Sequence, residues 1–258
     1  MATYTTEIAS DKLISDNPIH QRLLKAYIAA KPWISGSLLE IGCGEGRGVE
    51  QLLPLAESYI GLDKIGEVID MLRSKFPGVD FRQAVIPPFT GFEDNSYDTI
   101  VSFQVIEHIP NDRLFLQEIY RMLKPGGKAI ISTPNITHTL SRNPWHEREY
   151  KPQELIDLAA GIFDKVEAKG IGGNEKVWIY HEANRKSVQK IMRFDIFDLQ
   201  HKLPASVLRM PYEILNRMNR NKLHKQQGRA VVEITHEDYL VVEDPMKGLD
   251  LFYILRKK

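Results

Sequence analysis

The chain has 258 residues, 43% of them apolar and 26% charged, with 17 glycines and 14 prolines. That length and usage fit one large domain, or one domain plus an insertion, with a sizeable core, and exclude a disulfide scaffold, a fibre or a disordered chain. Lys plus Arg and Asp plus Glu both total 34, so no global field pulls the chain toward nucleic acid or acidic lipid, and any charged partner has to be met by a local patch.

The first seventeen residues lack a basic stretch followed by an apolar one, and no window approaches about 18 continuous apolar residues, so neither export nor membrane spanning is expected. Over 18–31 the apolar positions Ile19, Leu23, Ala26, Tyr27 and Ala30 recur at three and four residues, which predicts an amphipathic helix ending before Pro32 and serving as a lid or prop. An apolar run at 37–42 stopped by glycine reads as a strand, 49–56 as a helix interrupted by Pro54, and 58–62 as a second strand. The alternation continues with a helix at 67–76, strands at 79–84 and 97–103, a helix at 112–123 with Asn111 as N-cap, and a strand at 128–132. Helix at 152–161 and strand at 163–171 follow. The rhythm then breaks into two helical stretches between 184 and 228, divided near Pro204, before strand character returns at 230–235 and 249–255. Strands alternating with helices predict an α/β fold with a doubly wound, Rossmann-like parallel sheet. The expected organisation is an N-terminal helical segment over 1–36, a core from 37–173 and 238–258, and a helical insertion or lid over 174–237.

In such a sheet, ligands bind outside the carboxyl ends of the strands, where this chain carries Glu40-Ile-Gly-Cys-Gly-Glu-Gly-Arg-Gly48. The glycines are spaced G-x-G-x-G rather than G-x-G-x-x-G, which argues against a nicotinamide dinucleotide. Asp63, ending the second strand, can accept two hydrogen bonds from vicinal ribose hydroxyls, as any adenosine-containing cofactor requires. A bare strand-to-helix turn is the alternative. Cys43, the single cysteine, cannot close an internal disulfide, which fits a reducing compartment, and the expected location is the cytoplasm.

The ordered set Leu38-Leu-Glu-Ile-Gly-Cys-Gly-Glu-Gly46, Gly61-Leu-Asp63, Ser96-Tyr-Asp-Thr-Ile-Val101, Ile106-Glu-His108 and Met122-Leu-Lys-Pro-Gly-Gly-Lys128 resembles the class I S-adenosylmethionine-dependent methyltransferases. The likeness runs over about residues 37–172 and is nearest in motif to the ubiquinone-biosynthesis O-methyltransferases. It implies seven strands with the last antiparallel, methyl transfer as the activity and S-adenosylmethionine as the cofactor. By position it implies that Glu40 and the turn Gly42, Cys43, Gly44, Glu45 and Gly46 line the methionine moiety, that Asp63 with neighbouring Lys64 meets the ribose, and that Gln83 and the Ala84 backbone N–H meet the adenine. Gln104 completes the set. In the ubiquinone enzymes a Glu-x-x-Glu-His run is associated with a divalent cation; here Gln104 replaces the first glutamate, and no metal requirement is expected, with Glu107 and His108 left as the close pair.

Methyl transfer needs an aligned acceptor and, for a hydroxyl, a group to take its proton. The loop after the fifth strand gathers His138, Arg142 and Asn143-Pro-Trp-His146-Glu-Arg-Glu-Tyr150, and His146 is the first candidate for that base, with His138 and His108 behind it. Its Asn-Pro-Trp-His-x-Arg-Glu-Tyr stretch is similar to those of methyltransferases acting on sugars and on glycan or lipid-linked intermediates, so a small-molecule hydroxyl is the expected acceptor. Hydrogen bonding within the loop is the plainer role for the same residues. Nucleic-acid or protein methylation and a non-catalytic cofactor-binding module are the rival readings. No Asn/Asp-Pro-Pro-aromatic run follows the fourth strand, which disfavours base methylation. From 184 to 229 eleven Lys or Arg face three acidic residues. That basic, partly apolar stretch can meet a phosphorylated or otherwise anionic substrate, touch an anionic membrane surface, or be a solvated helix face.

Overall fold

The computed structural model describes residues 13–193 and 199–258. The expectations for the polar opening, up to residue 12, and for 194–198 of the insertion lie outside the described residues. In chain order the elements are α1 (Asn17–Ala30), β1 (Ser37–Ile41), α2 (Val49–Leu52), β2 (Ser58–Asp63), α3 (Gly66–Lys75), β3 (Asp80–Gln83), β4 (Tyr97–Phe103), α4 (Asp112–Met122), β5 (Leu123–Pro134), α5 (Pro152–Ala160), β6 (Lys165–Gly173), α6 (Glu175–Met192), α7 (Leu199–Lys202), α8 (Ala205–Glu233), β7 (Tyr239–Val242) and β8 (Asp250–Arg256).

One sheet runs β3-β2-β1-β4-β5-β8-β6-β7. The first five strands pair in parallel, β8 lies antiparallel between β5 and β6, and β7 is antiparallel to β6. The sheet therefore has eight strands rather than the expected seven, and two of them run against the rest. The additional one is β7. The strand expected over 230–235 is instead the last turn of α8, which ends at Glu233, followed by an extended exit at Ile234: the β-branched residues favour a strand locally, but Val231 and Ile234, both 1% exposed, pack in the core, so tertiary burial overrides propensity. Helix α2 is shorter than expected because Pro54, lacking an N–H, sits in a 3-10 turn at Leu53–Leu55. The Asn111 cap is in place, its side chain accepting from Leu114 N at 3.0 Å.

Both faces of the sheet are covered. Successive residues point to opposite sides of a strand, so Leu38, Val101, Ile130 and Phe252 join one apolar cluster while Leu39, Ile100, Ile131 and Tyr253 join the other. Each such side chain contributes about 1.5–3 kcal/mol on full burial. The chain leaves β1 toward β2 on one side and β4 lies on the other, so a crevice opens beyond the carboxyl ends of β1 and β4. Helix α1 is fastened near that edge by residues far away in sequence: the Asn17 amide donates to the carbonyls of Val231 and Ile234, both at 2.8 Å, and the Tyr239 hydroxyl donates to Pro18 O at 2.7 Å. No helix among the described residues is long and apolar enough to cross a membrane.

Candidate functional site

The turn after β1 is shaped by glycines whose freedom is used. Gly42 has φ +80°, and a Cβ there would lie 2.3 Å from Val105 Cγ2, so the turn and the segment after β4 touch only because the side chain is missing. Gly44 has φ +50° and open space where a Cβ would stand. Asp63 ties this turn to the end of β2: one carboxylate oxygen accepts from Gly44 N at 2.9 Å and the other from Ile65 N at 3.0 Å. Each oxygen keeps further acceptor capacity.

These residues open on a cavity of about 360 Å³. Of the residues singled out from sequence, Gly42, Cys43, Gly44, Asp63, Lys64, Ala84, Gln104 and His108 line it. Cys43 is buried among carboxylates, which pushes its thiol far above the usual range and leaves it an inert wall. Gln104 lines the cavity with φ +58°, a conformation uncommon outside glycine, held by its backbone N–H donating to Ser132 O at 2.8 Å. Glu40, Gly46, Gln83, His138 and His146 do not line it. Glu40 sits behind the turn, accepting from the Tyr27 hydroxyl at 2.8 Å and the Tyr59 hydroxyl at 2.5 Å, and burial raises its carboxyl to about 7. Gly46 packs on Leu72. The Gln83 amide donates to Lys64 O at 3.0 Å, and the Ala84 N–H, expected to reach a ring, donates to Asp63 O at 2.9 Å. His138 contacts Met246 O through Nε2 at 3.0 Å.

Sequence reading missed the ceiling. Leu23 and Tyr27 of α1 line the cavity, and both fall on the apolar stripe that predicted the helix; the stripe revealed burial but not against what. Glu45, within the 42–46 turn expected at the methionine moiety, lines the cavity as well. Its Oε1 is buried in the cavity wall without a hydrogen-bond donor among the described residues, an acceptor matched to a cationic amino group. Exposed backbone at Gly44, the Asp63 carboxylate, the unsatisfied Glu45 oxygen and the apolar wall of Leu62, Ile65, Val85 and Ile86 together fit S-adenosylmethionine, which has an amino-acid end, a ribose and an apolar ring face.

Beyond Gln104 the wall becomes a side-chain network. His108 Nδ1 lies 2.8 Å from Trp145 O. A carbonyl only accepts, so Nδ1 carries a proton, and in the neutral ring Nε2 is the basic nitrogen. Behind it the His146 ring stands edge-to-face, centroids 4.9 Å apart, with Nδ1 2.7 Å from Glu149 Oε1 and Nε2 2.8 Å from Asn143 Nδ2. Glu149 also accepts from the Thr139 hydroxyl. Glu107 is buried, accepts from the Thr133 hydroxyl at 2.9 Å, and is raised to about 7 by that burial. The backbone N–H of Glu147 donates to Glu107 O at 2.8 Å, which fastens the loop to the end of β4.

Glu107 and His108 were expected to stand as a pair, but His146 joins them: one ligand atom from each lies within 4.8 Å of the others, a spacing that could hold a metal ion. In the hydrogen-bonded arrangement both His146 nitrogens, His108 Nδ1 and one Glu107 oxygen face partners. Coordination by His146 would have to displace Asn143 or Glu149.

Residues 39–131 match the family described as a methyltransferase domain. The chain is 36% identical over 151 residues to a probable S-adenosylmethionine-dependent methyltransferase of Mycolicibacterium smegmatis, a match covering 57% of this chain and 56% of that protein. It is 32% identical over 129 residues to the mitochondrial ubiquinone biosynthesis O-methyltransferase of Rattus norvegicus, covering 46% and 37%. The chain thus spans between about a third and two thirds of the length of the curated relatives it matches. Among solved structures, a possible histamine N-methyltransferase from Thermotoga maritima superposes with a TM-score of 0.59 at 17% identity, covering 95% of this chain and 91% of that one, which speaks for the fold. With the glycine turn, Asp63 and the switch-point cavity on the same sheet edge, residues 39–131 carry the methyltransferase domain, and over this region the chain is similar to S-adenosylmethionine-dependent methyltransferases.

Proposed function

We propose that this protein transfers a methyl group from S-adenosylmethionine to a hydroxyl of a small molecule, with a sugar, glycan or lipid-linked intermediate as the acceptor class. One juxtaposition carries the reading: Gly44 and Asp63 share a cavity with His108. The 42–46 turn, Asp63 and Glu45 would hold the cofactor, which when bound supplies an electrophilic methyl group on a sulfonium sulfur. His108, whose Nδ1 faces the Trp145 carbonyl, takes the acceptor's hydroxyl proton through its Nε2 in the neutral ring, while the oxygen becomes the nucleophile. His146, first choice on sequence grounds, acts from behind: with Glu149 and Asn143 it fixes the loop that presents Trp145 O. Leu23 and Tyr27 of α1 exclude water from the apolar end.

Incubation of the protein with S-adenosylmethionine and a panel of hydroxyl and amine acceptors, read by mass spectrometry, tests this. Methylation of a hydroxyl acceptor that survives a chelator is the expected result. Transfer only to amines overturns the acceptor class, and loss on chelation with recovery on adding magnesium assigns Glu107, His108 and His146 to a metal. A protein that binds the cofactor and methylates nothing in the panel supports the binding-module reading instead.

A further inference from the structure

Helix α8 carries two apolar faces where its packing uses one. The inner face lies against α6 and the turn preceding α1: Leu223 is buried, the Asn219 amide donates to Asn184 Oδ1 at 2.8 Å, and Arg217 donates to both oxygens of buried Asp16, at 2.9 and 3.1 Å. The outer face presents Val207, Met210, Ile214, Leu215 and Met218, each 44–72% exposed, with exposed Pro211 among them. Positions 207, 210, 211, 214, 215 and 218 fall at i, i+3, i+4, i+7, i+8 and i+11, a single stripe of an α-helix. One turn further, the same stripe continues as exposed Lys222 and Lys225.

We propose that this face docks on an anionic membrane surface, with the apolar stripe at the boundary between headgroups and acyl chains and Lys222 and Lys225 among the headgroups. Charge selects the occupant. The 184–229 segment holds eleven Lys or Arg against three acidic residues, and a positive surplus remains after Asp16 pairs with Arg217 and Arg220 and Glu182 with Arg185 and Lys186, in a chain whose total is zero. A second copy would set that surplus against itself, and six partly exposed side chains fall short of the about 800 Å² per partner of a stable protein interface. The docking helix is also wired to the cavity: the Arg209 guanidinium stacks over the Trp145 ring at 4.1 Å, and the Trp145 carbonyl is the partner of His108. An acceptor with an apolar tail would then be drawn from the surface on which the enzyme sits; this last step rests on the proposed methyl transfer, whereas the docking does not.

Flotation of the full chain with vesicles of phosphatidylcholine and phosphatidylglycerol, against vesicles of phosphatidylcholine alone, tests the proposal. Binding to the anionic vesicles, weakened by salt and at least about tenfold weaker to the neutral ones, is expected. Changing Met210→Ser, Ile214→Ser and Met218→Ser together should abolish flotation, and Lys222→Glu or Lys225→Glu should weaken it by about fivefold or more each. All these positions face solvent, and unchanged S-adenosylmethionine affinity by calorimetry verifies that the variants fold. No binding to anionic vesicles, or binding that the stripe variant retains, overturns the proposal. So does a wild-type dimer that the stripe variant turns into a monomer, which would give the face to a second copy.

Discussion

The two halves of the ligand edge are built by different means. On the β1–β2 side the cavity wall is mostly backbone, held by contacts between residues about twenty apart: a turn at 42–46 and the carboxylate of Asp63 that receives its N–H. On the β4–β5 side the wall is side chain, assembled from residues nearly forty apart, as when His108 meets Trp145, and backed by the Asn143, His146 and Glu149 network. A backbone site serves one cofactor whatever the acceptor; a side-chain site can be rebuilt for a new acceptor without touching the first. Damage to one half should therefore leave the other's property intact.

The largest expected effect breaks the side-chain half alone. His108→Ala should cut turnover by about 100- to 10,000-fold, the range for loss of general acid–base assistance, while S-adenosylmethionine affinity in calorimetry changes by less than about threefold. A matching loss of cofactor affinity would mean that the halves are not separable. Next, Asp63→Ala should weaken cofactor binding by about 1.5–3 kcal/mol, roughly 10- to 150-fold, because a charged acceptor is lost together with the anchor of the Gly44 N–H. If turnover at saturating cofactor falls just as far, Asp63 serves both halves.

Smaller again is a contrast within the turn. Gly42→Ala meets both a left-handed φ and Val105 Cγ2 at 2.3 Å, and should cost about 1–3 kcal/mol of stability in denaturant melts. Gly44→Ala has the strained φ but open space, and should cost about 1–2 kcal/mol while hindering the cofactor's approach. The finest distinction is in pH. Glu40 has its folded pKa raised by burial to about 7, so its contribution to stability is complete below its ordinary value of 4.5, declines as pH rises toward 7, and is absent above. Its slope cannot exceed about 1.4 kcal/mol per pH unit. Glu40→Gln should remove that slope, so that the variant gains on the wild type between pH 5 and pH 8; a constant difference across this window would show that Glu40 does not change its protonation there.

The same contrast explains what could be read from the chain. The parallel half of the sheet, the cap at Asn111 and the turn with Asp63 were legible because each is a local pattern: a short apolar run, a polar residue before a helix, glycines after a strand. The strand β7 and the true extent of α8 were not, since Val231 is helical, and Ile234 follows directly after the helix, only because the core receives them there. His146 was ranked above His108 because its loop is rich in polar residues, yet only the fold reveals that His108 stands nearer the cavity and His146 behind it. Glu149 carried a usable signal, three residues after His146; the ceiling formed by α1 carried none, because a helical stripe does not name its partner.

The place of β8 has a consequence for how the protein is made. This strand enters between β5 and β6 but follows both in the chain, so a nascent chain that has made β5 and β6 presents two open ladders, from Lys128 to Pro134 and from Lys165 to Ile171, until β8 arrives between them. Open ladders invite pairing with neighbouring chains. A chain stopped at Gly248 is thus expected to sediment as aggregate rather than persist as a shortened enzyme, and the final turn before Asp250 becomes the point at which nascent chains commit either to the fold or to one another.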